Sequence, residues 1–161
     1  MRDDEFEQLY AAEAPGLFSF LAYRTGDRGL AEDLLADAFE RALRSRRRFD
    51  RRRGSGKTWI YTIALNLLRD HARRAAAEGR ALERVGAAPE ALLDPGMAGV
   101  EHRDSMQRAL ARLTPEEREV ISLRFGAELT VPEIADVLKE PLTTVEGRVY
   151  RALRKLREHL A

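Results

Sequence analysis

Arg44, Arg46, Arg47, Arg48, Arg51, Arg52 and Arg53 crowd one short stretch, and Arg69, Arg73 and Arg74 follow after a gap. Phe49, Trp59 and Tyr61 lie among them. Guanidinium forks match phosphate oxygens in pairs, and aromatic rings stack on unpaired bases. Together they have the composition of a surface that holds single-stranded nucleic acid. Trp59 is in helical register with Ile63, which also suits a core position, so Tyr61 is the better stacking candidate.

A second basic set lies near the end of the chain. Arg148, Arg151, Arg154, Lys155 and Arg157 recur at three- and four-residue spacing beside an apolar stripe of Val145, Val149, Leu153, Leu156 and Leu160. The pattern fits either a solvated helix surface with Glu158 as counterion or a helix seated in a DNA major groove. Two possible capping boxes precede it. These are Thr114-Pro115-Glu116-Glu117 and Thr130-Val131-Pro132-Glu133, each with threonine at the cap and glutamate three residues on. The second opens a short helix (Ile134, Val137, Leu138), and the turn at Lys139-Glu140-Pro141 leads into the basic helix. That order is a candidate helix-turn-helix.

Other chemistry is excluded or lacks support. Gly54-Ser55-Gly56-Lys57-Thr58 ends like a phosphate loop, but Arg51 stands where the motif's first glycine belongs and no apolar strand precedes it. Glu32, Asp33, Asp37 and Glu40 gather on one helical face without converging partners, so they read as a solvated face or a docking surface for a basic helix. There is no cysteine, which removes disulfides, thiolate metal sites and cysteine nucleophiles. Three scattered histidines do not make a zinc site. No cofactor, metal or catalytic residue is expected.

These patches need helices to hold them, and nearly every segment has helical period. A short helix with Phe6, Leu9 and Tyr10 is expected to stop near Pro15. A second carries Leu17 to Tyr23, and a third Leu30 to Leu43. A fourth runs from Trp59 to about Arg74, making a four-helix N-terminal domain over residues 1–75. Residues 76–101 are rich in alanine, with Gly79, Gly86, Pro89, Pro95, Gly96 and Gly99 as breakers. They read as a flexible linker. A C-terminal domain over 102–161 follows, including a helix with Val120, Ile121, Leu123 and Phe125. The fold class is therefore all-α, with two small helical domains.

Charge is separated along the 161 residues. Net charge is only +1, yet residues 1–40 carry 3 basic and 10 acidic side chains, and residues 41–80 carry 13 basic and 3 acidic. One region should attract a basic partner and the next a polyanion. All basic residues except Lys57, Lys139 and Lys155 are arginine, which suits nucleic acid and equally the codon bias of a GC-rich genome. Neither a signal-peptide pattern nor a membrane-length apolar run is present. A cytoplasmic protein without membrane insertion is expected.

In combination, these segments resemble an RNA polymerase sigma factor of the extracytoplasmic-function (ECF) type. The stretches that carry the resemblance are Ala31–Ala42, Trp59–Asn66, Asp70–Arg74, Leu113–Val120 and Leu129–Ala135. The resemblance implies that Asp33, Asp37, Phe39 and Arg41 dock on the clamp helices of the polymerase's largest subunit. Arg46, Arg47, Arg48, Phe49, Arg52, Trp59, Tyr61, Asn66, Arg69, Arg73 and Arg74 would melt and hold the minus-ten element, with Asn66 as a base reader. Thr143, Thr144, Glu146, Gly147, Arg148, Arg151 and Lys155 would meet the minus-thirty-five element, with the same domain on the polymerase flap. Glu146 stands where a basic residue is typical; it can accept from a cytosine amino group or cap the helix with Thr143. The implied protein is a monomer that binds core polymerase, duplex and single-stranded promoter DNA, and an anti-sigma factor. Two other readings remain open: a conventional helix-turn-helix regulator, and a sigma-like adaptor that selects no promoter.

Overall fold

A computed structural model describes residues 1–79 and 100–160, with side chains from Asp104 onward in the second stretch. Every regular element among the described residues is helical. The expected linker, 76–101, lies largely outside them. Its first residues belong to a helix that runs to Ala77 and its last to one that begins at Val100.

The N-terminal half contains α1 (Asp3–Thr25), α2 (Arg28–Arg44) and α3 (Gly56–Ala77), with a single 3-10 turn at Arg46–Arg48. The two short helices expected around Pro15 are one helix of 23 residues. An internal proline loses a backbone hydrogen bond and crowds the preceding turn, at a cost of about 3 kcal/mol. Leu17, Phe20 and Leu21, just beyond it, are fully buried and return roughly 1.5–3 kcal/mol each. Burial on both sides of the proline outweighs the local break, so four expected helices become three. The α1 helix ends at Gly26, whose φ of 66° lets its N–H reach the carbonyl of Ala22. Asp27 then caps α2 by accepting from the Leu30 N–H, and Ser55 caps α3 by accepting from Thr58.

The C-terminal half contains α4 (Val100–Ala111), α5 (Pro115–Ile121), α6 (Val131–Leu138) and α7 (Leu142–Leu160). Both capping boxes form. Thr114 and Glu117 exchange bonds of 3.1 and 2.9 Å, and Thr130 and Glu133 bonds of 3.2 and 2.8 Å. A π-helical turn, Ser122–Gly126, continues α5, and the Ala127 N–H reaches back to Ser122. It inserts a residue into the helical phase. Leu123 therefore stays in the core, whereas Phe125, expected on the apolar face, is exposed and lies under the Arg124 guanidinium.

The two halves meet. Helix α1 packs on the π-helical turn and α3 on α6. Buried residues of α1 and α3 join Val120, Leu123, Leu129 and Ile134 in one apolar cluster. Tyr23 of α1 sits among Leu110, Leu113, Ile121 and Ala152 of the C-terminal half.

Candidate nucleic-acid interface

The N-terminal surface is built on one face of α3. Trp59, Thr62, Asn66, Arg69 and Arg73 recur at alternating spacings of three and four, so they line a single stripe. Asn66, Arg69 and Arg73 are exposed, and Trp59 and Thr62 half-buried. Phe49 packs on Trp59 with centroids 5.0 Å apart, which extends the stripe into the basic loop. The stripe thus offers a ring, a hydroxyl, an amide and two guanidinium groups in succession. Thr62, absent from the sequence candidates, donates to the Thr58 carbonyl at 2.7 Å. Its spacing from Trp59 and Asn66 was the available signal.

The acidic start of α1 neutralises part of the loop. Asp3 lies 3.1 Å from Arg46, Glu5 lies 2.8 Å from Arg51, and the N-terminal ammonium donates to the Arg46 carbonyl at 2.9 Å. The Arg2 backbone N–H and the Arg51 guanidinium hold the Glu5 carboxyl below its ordinary pKa. Arg44 pairs with Glu40. Among the described residues, Arg47, Arg48, Arg52 and Arg53 have no carboxylate partner and are exposed. Arg51, Arg52, Arg53 and Phe49 border an open cleft of about 830 Å³ with Gly54, Ser55 and Lys57. Exposed cations beside a cleft and a ring platform can follow a sugar-phosphate backbone with bases turned inward.

Tyr61 does not belong to this surface. It is 1% exposed and packs edge-on against Phe20 at 5.9 Å, because it points to the face of α3 opposite Trp59. Burial pushes its phenol well above the ordinary pKa, and the hydroxyl has no hydrogen-bond partner among the described residues. Tyr61→Phe keeps the ring packing and removes a desolvated polar group. The expected result is unchanged stability or a gain of up to about 1 kcal/mol, with promoter opening unaltered. Thermal unfolding checks this, and a clear loss of stability would show that the hydroxyl is bonded.

Asp33, Asp37 and Arg41 are exposed on α2. Phe39 is not; it is buried against Phe6 and Tyr10, with centroids 6.2 and 4.8 Å away. It packs behind α2, on the core side of the helix, away from exposed Asp33, Asp37 and Arg41. Asp33, Asp37 and Arg41 share a groove with His71 and Arg74 of α3. Arg74 therefore stands across from the Asp33 and Asp37 carboxylates, off the stripe of Asn66 and Arg73.

In the C-terminal half, Lys139 takes a left-handed conformation (φ 56°) that closes α6, and α7 starts three residues later, at Leu142. Thr143, Thr144, Glu146 and Arg151 are exposed on its first turns. Thr143 lies inside the helix, so it does not cap it with Glu146. Arg151 folds over Gly147, where a Cβ would come within 3.2 Å of its Nη1. Tyr150, missed in the sequence, is 67% exposed on the same face. Its position off the Val145–Val149–Ala152 stripe was the clue.

Two expected DNA contacts are turned toward protein instead. Arg148 is 17% exposed and lies 2.8 Å from Glu140, pinning the turn before α7. Lys155 donates to Glu117 at 2.7 Å, tying α7 to α5. Burial raises the Glu117 pKa, but the bonds from Lys155 and from the Thr114 N–H outweigh it and leave the carboxyl below its ordinary value. A depressed carboxylate stabilises the fold above the ordinary carboxylate range and loses that contribution as pH falls through its lowered pKa. Lys155→Met is expected to cost about 2 kcal/mol at neutral pH, discounted for the partial exposure of Lys155. It should also shrink the loss of stability on acidification. Denaturant unfolding at pH 7 and pH 3 measures both.

No group of side chains among the described residues is arranged to hold a metal ion. No described helix is long and apolar enough to cross a membrane.

Comparison with known proteins bears on both surfaces. Residues 9–78 match the family model Sigma-70 region 2, and residues 109–158 match Sigma-70, region 4. The chain is 32% identical over 152 residues to the ECF RNA polymerase sigma factor SigW of Bacillus subtilis, covering 87% of this chain and 81% of that protein. It is 31% identical over 160 residues to the ECF RNA polymerase sigma factor BldN of Streptomyces coelicolor, covering 95% of this chain but only 59% of that protein. In fold it is similar to the sigma factor RpoE crystallised with the anti-sigma factor NepR from Bartonella quintana. That match has a TM-score of 0.75 at 24% identity, over 98% of this chain and 97% of that one. With a region 2 stripe and a region 4 helix-turn-helix in this order, the chain belongs to the ECF RNA polymerase sigma factors, which direct promoter recognition at transcription initiation.

Proposed function

We propose that the two surfaces divide the work of initiation, with the N-terminal domain (1–75) on the minus-ten element and the C-terminal domain (102–161) on the minus-thirty-five element. The observation that carries this reading is the α3 stripe, with a ring platform at one end and exposed guanidinium groups along the rest. Phe49 and Trp59 stack against bases of the separated strand, and Asn66 reads a base edge. Arg47, Arg48, Arg52 and Arg73 hold phosphates. Thr143, Thr144, Glu146, Tyr150 and Arg151 face the upstream duplex, while Arg148 and Lys155 fix the helix that presents them. Asp33, Asp37 and Arg41 dock on the clamp helices of the polymerase's largest subunit, and the C-terminal domain rests on the flap. RNA synthesis stays with the core enzyme. The free chain is a monomer in the cytoplasm, held in reserve by an anti-sigma factor.

The test is to add the purified protein to core polymerase and sequence transcript starts across a fragmented genome. Discrete starts sharing two spaced upstream motifs are expected. A conventional regulator gives no starts without another sigma factor. An adaptor binds core and still selects none.

A further inference from the structure

Glu146 is an acidic group on an otherwise basic face. It is exposed on the second turn of α7, and Arg151, Arg154 and Arg157 are exposed farther along the same helix. Two other cations of α7 are engaged elsewhere, Arg148 with Glu140 and Lys155 with Glu117. Among the described residues Glu146 has no ion pair and no side-chain hydrogen bond. Capping does not account for it, because Thr143 already lies inside the helix. A carboxylate turned toward a duplex is repelled by the phosphates and weakens binding to any sequence. It is compatible with tight binding only where the duplex offers it a donor.

The helix sets what the carboxylate can meet. Thr143, Glu146 and Tyr150 form one stripe at spacings of three and four, and Thr144, Gly147 and Arg151 form the stripe beside it. Gly147 leaves a gap on the second stripe, and Arg151 folds back into it, since a Cβ at 147 would stand 3.2 Å from its Nη1. Glycine inside a helix is otherwise unfavourable. Here it brings a guanidinium fork toward the first turns of α7, the end of a recognition helix that reaches base edges.

The four bases differ sharply in what they offer an acceptor in the major groove. Guanine presents two acceptors, and thymine an acceptor and a methyl group. Adenine presents a donor amino group at N6 with the N7 acceptor beside it. Cytosine presents the N4 amino group with no acceptor of its own. A carboxylate therefore suits cytosine best, and the guanine paired with it suits an arginine fork.

We infer that Glu146 is a specificity residue that requires cytosine at one position of the upstream duplex, and that Gly147 leaves Arg151 room to take the guanine of the same or the adjoining pair. The inference rests on the assignment of the C-terminal domain to the minus-thirty-five element proposed above.

The test uses core polymerase carrying the full chain and a promoter library randomised in its upstream segment, with the transcribed members sequenced. The unaltered protein is expected to favour cytosine at one upstream position by roughly fivefold to a hundredfold. Glu146→Gln should move that position to adenine, whose N6 and N7 match a side-chain amide. Glu146→Ala should leave it open to every base, and it decides the matter if Glu146→Gln gives no transcripts. The other upstream positions should hold in both variants. Gly147→Ala should displace Arg151 and weaken a guanine preference at the same or the next pair severalfold. Identical preferences at every position in the unaltered protein and the Glu146 variants would overturn the role of Glu146. A Glu146-dependent position that favours another base in the unaltered protein would overturn the assignment to cytosine. An unchanged guanine preference in Gly147→Ala would overturn the role of Gly147. If the unaltered protein selects a minus-ten motif and no upstream motif at all, the assignment of the C-terminal domain falls, and this inference with it.

Discussion

Replacing Arg48, Arg52 and Arg73 together by glutamate is expected to reduce promoter opening a hundredfold or more, while binding to core polymerase is retained. All three side chains are exposed. Arg48 and Arg52 have no carboxylate partner among the described residues, and Arg73 has only its surface neighbour Asp70. The substitution changes local charge by about six, so three phosphate contacts become three repulsions. Loss of three contacts alone lowers the salt dependence of binding by a slope of about two to three, through the counterions no longer released. None of the three lines the α2–α3 groove of Asp33, Asp37 and Arg74, so the docking side is left unaltered. Arg74 is omitted because it stands in that groove, where a glutamate would disturb both functions. A fluorescent base in the minus-ten region reports opening, and co-elution reports core binding. Loss of core binding with opening unimpaired in the residual complex would reverse the assignment.

Replacing Asp33 and Asp37 by lysine is expected to produce the opposite pattern. Both lie exposed on α2, one turn apart, and the core behind them is complete without them: Ala31, Leu34, Ala38 and Ala42 are buried beneath. The fold should therefore tolerate the change to within about 0.5 kcal/mol, as circular dichroism can verify. Affinity for core polymerase is expected to fall a hundredfold or more, because truncating or reversing a charge at a complementary interface costs about 2–5 kcal/mol. The helix-turn-helix of α6 and α7 carries neither substitution and is unchanged. An unaltered affinity would remove the docking role of α2.

Where the sequence was informative, the reason is local. Thr114 with Glu117 and Thr130 with Glu133 close capping boxes within four residues, and Gly26 ends α1 by a conformation few other residues accept. Such signals depend on no distant partner. Where it misled, a distant partner decided. Pro15 reads as a stop, but Phe20 and Leu21 need the same core as Phe6 and Leu9, so α1 runs through. By sequence Tyr61 is the better stacking candidate and Trp59 the core residue; which one faces inward depends on where α1 crosses α3, and Phe20 takes Tyr61. Phe39 matches a docking position in type yet is claimed by Phe6 and Tyr10. Phe125 fits the apolar period of α5 only until the π-helical turn shifts the phase. Arg148 and Lys155 sit on the basic stripe by spacing, but Glu140 and Glu117 hold them to the protein. Charge in a sequence has no address until its counterion is placed. Glu119 likewise lies 2.9 Å from Arg69 and 3.8 Å from Arg24, residues far from it in the chain, and that contact had no local signature.

Permanganate reactivity of thymines in a promoter duplex offers the most direct examination of the account, since only bases out of the helix react. Core polymerase with this protein should expose thymines in the minus-ten region, and core polymerase alone should not. The Arg48, Arg52 and Arg73 glutamate variant should bind the core and leave the same thymines protected. Protected thymines in a complex that contains the unaltered protein and starts transcription at that promoter would contradict it.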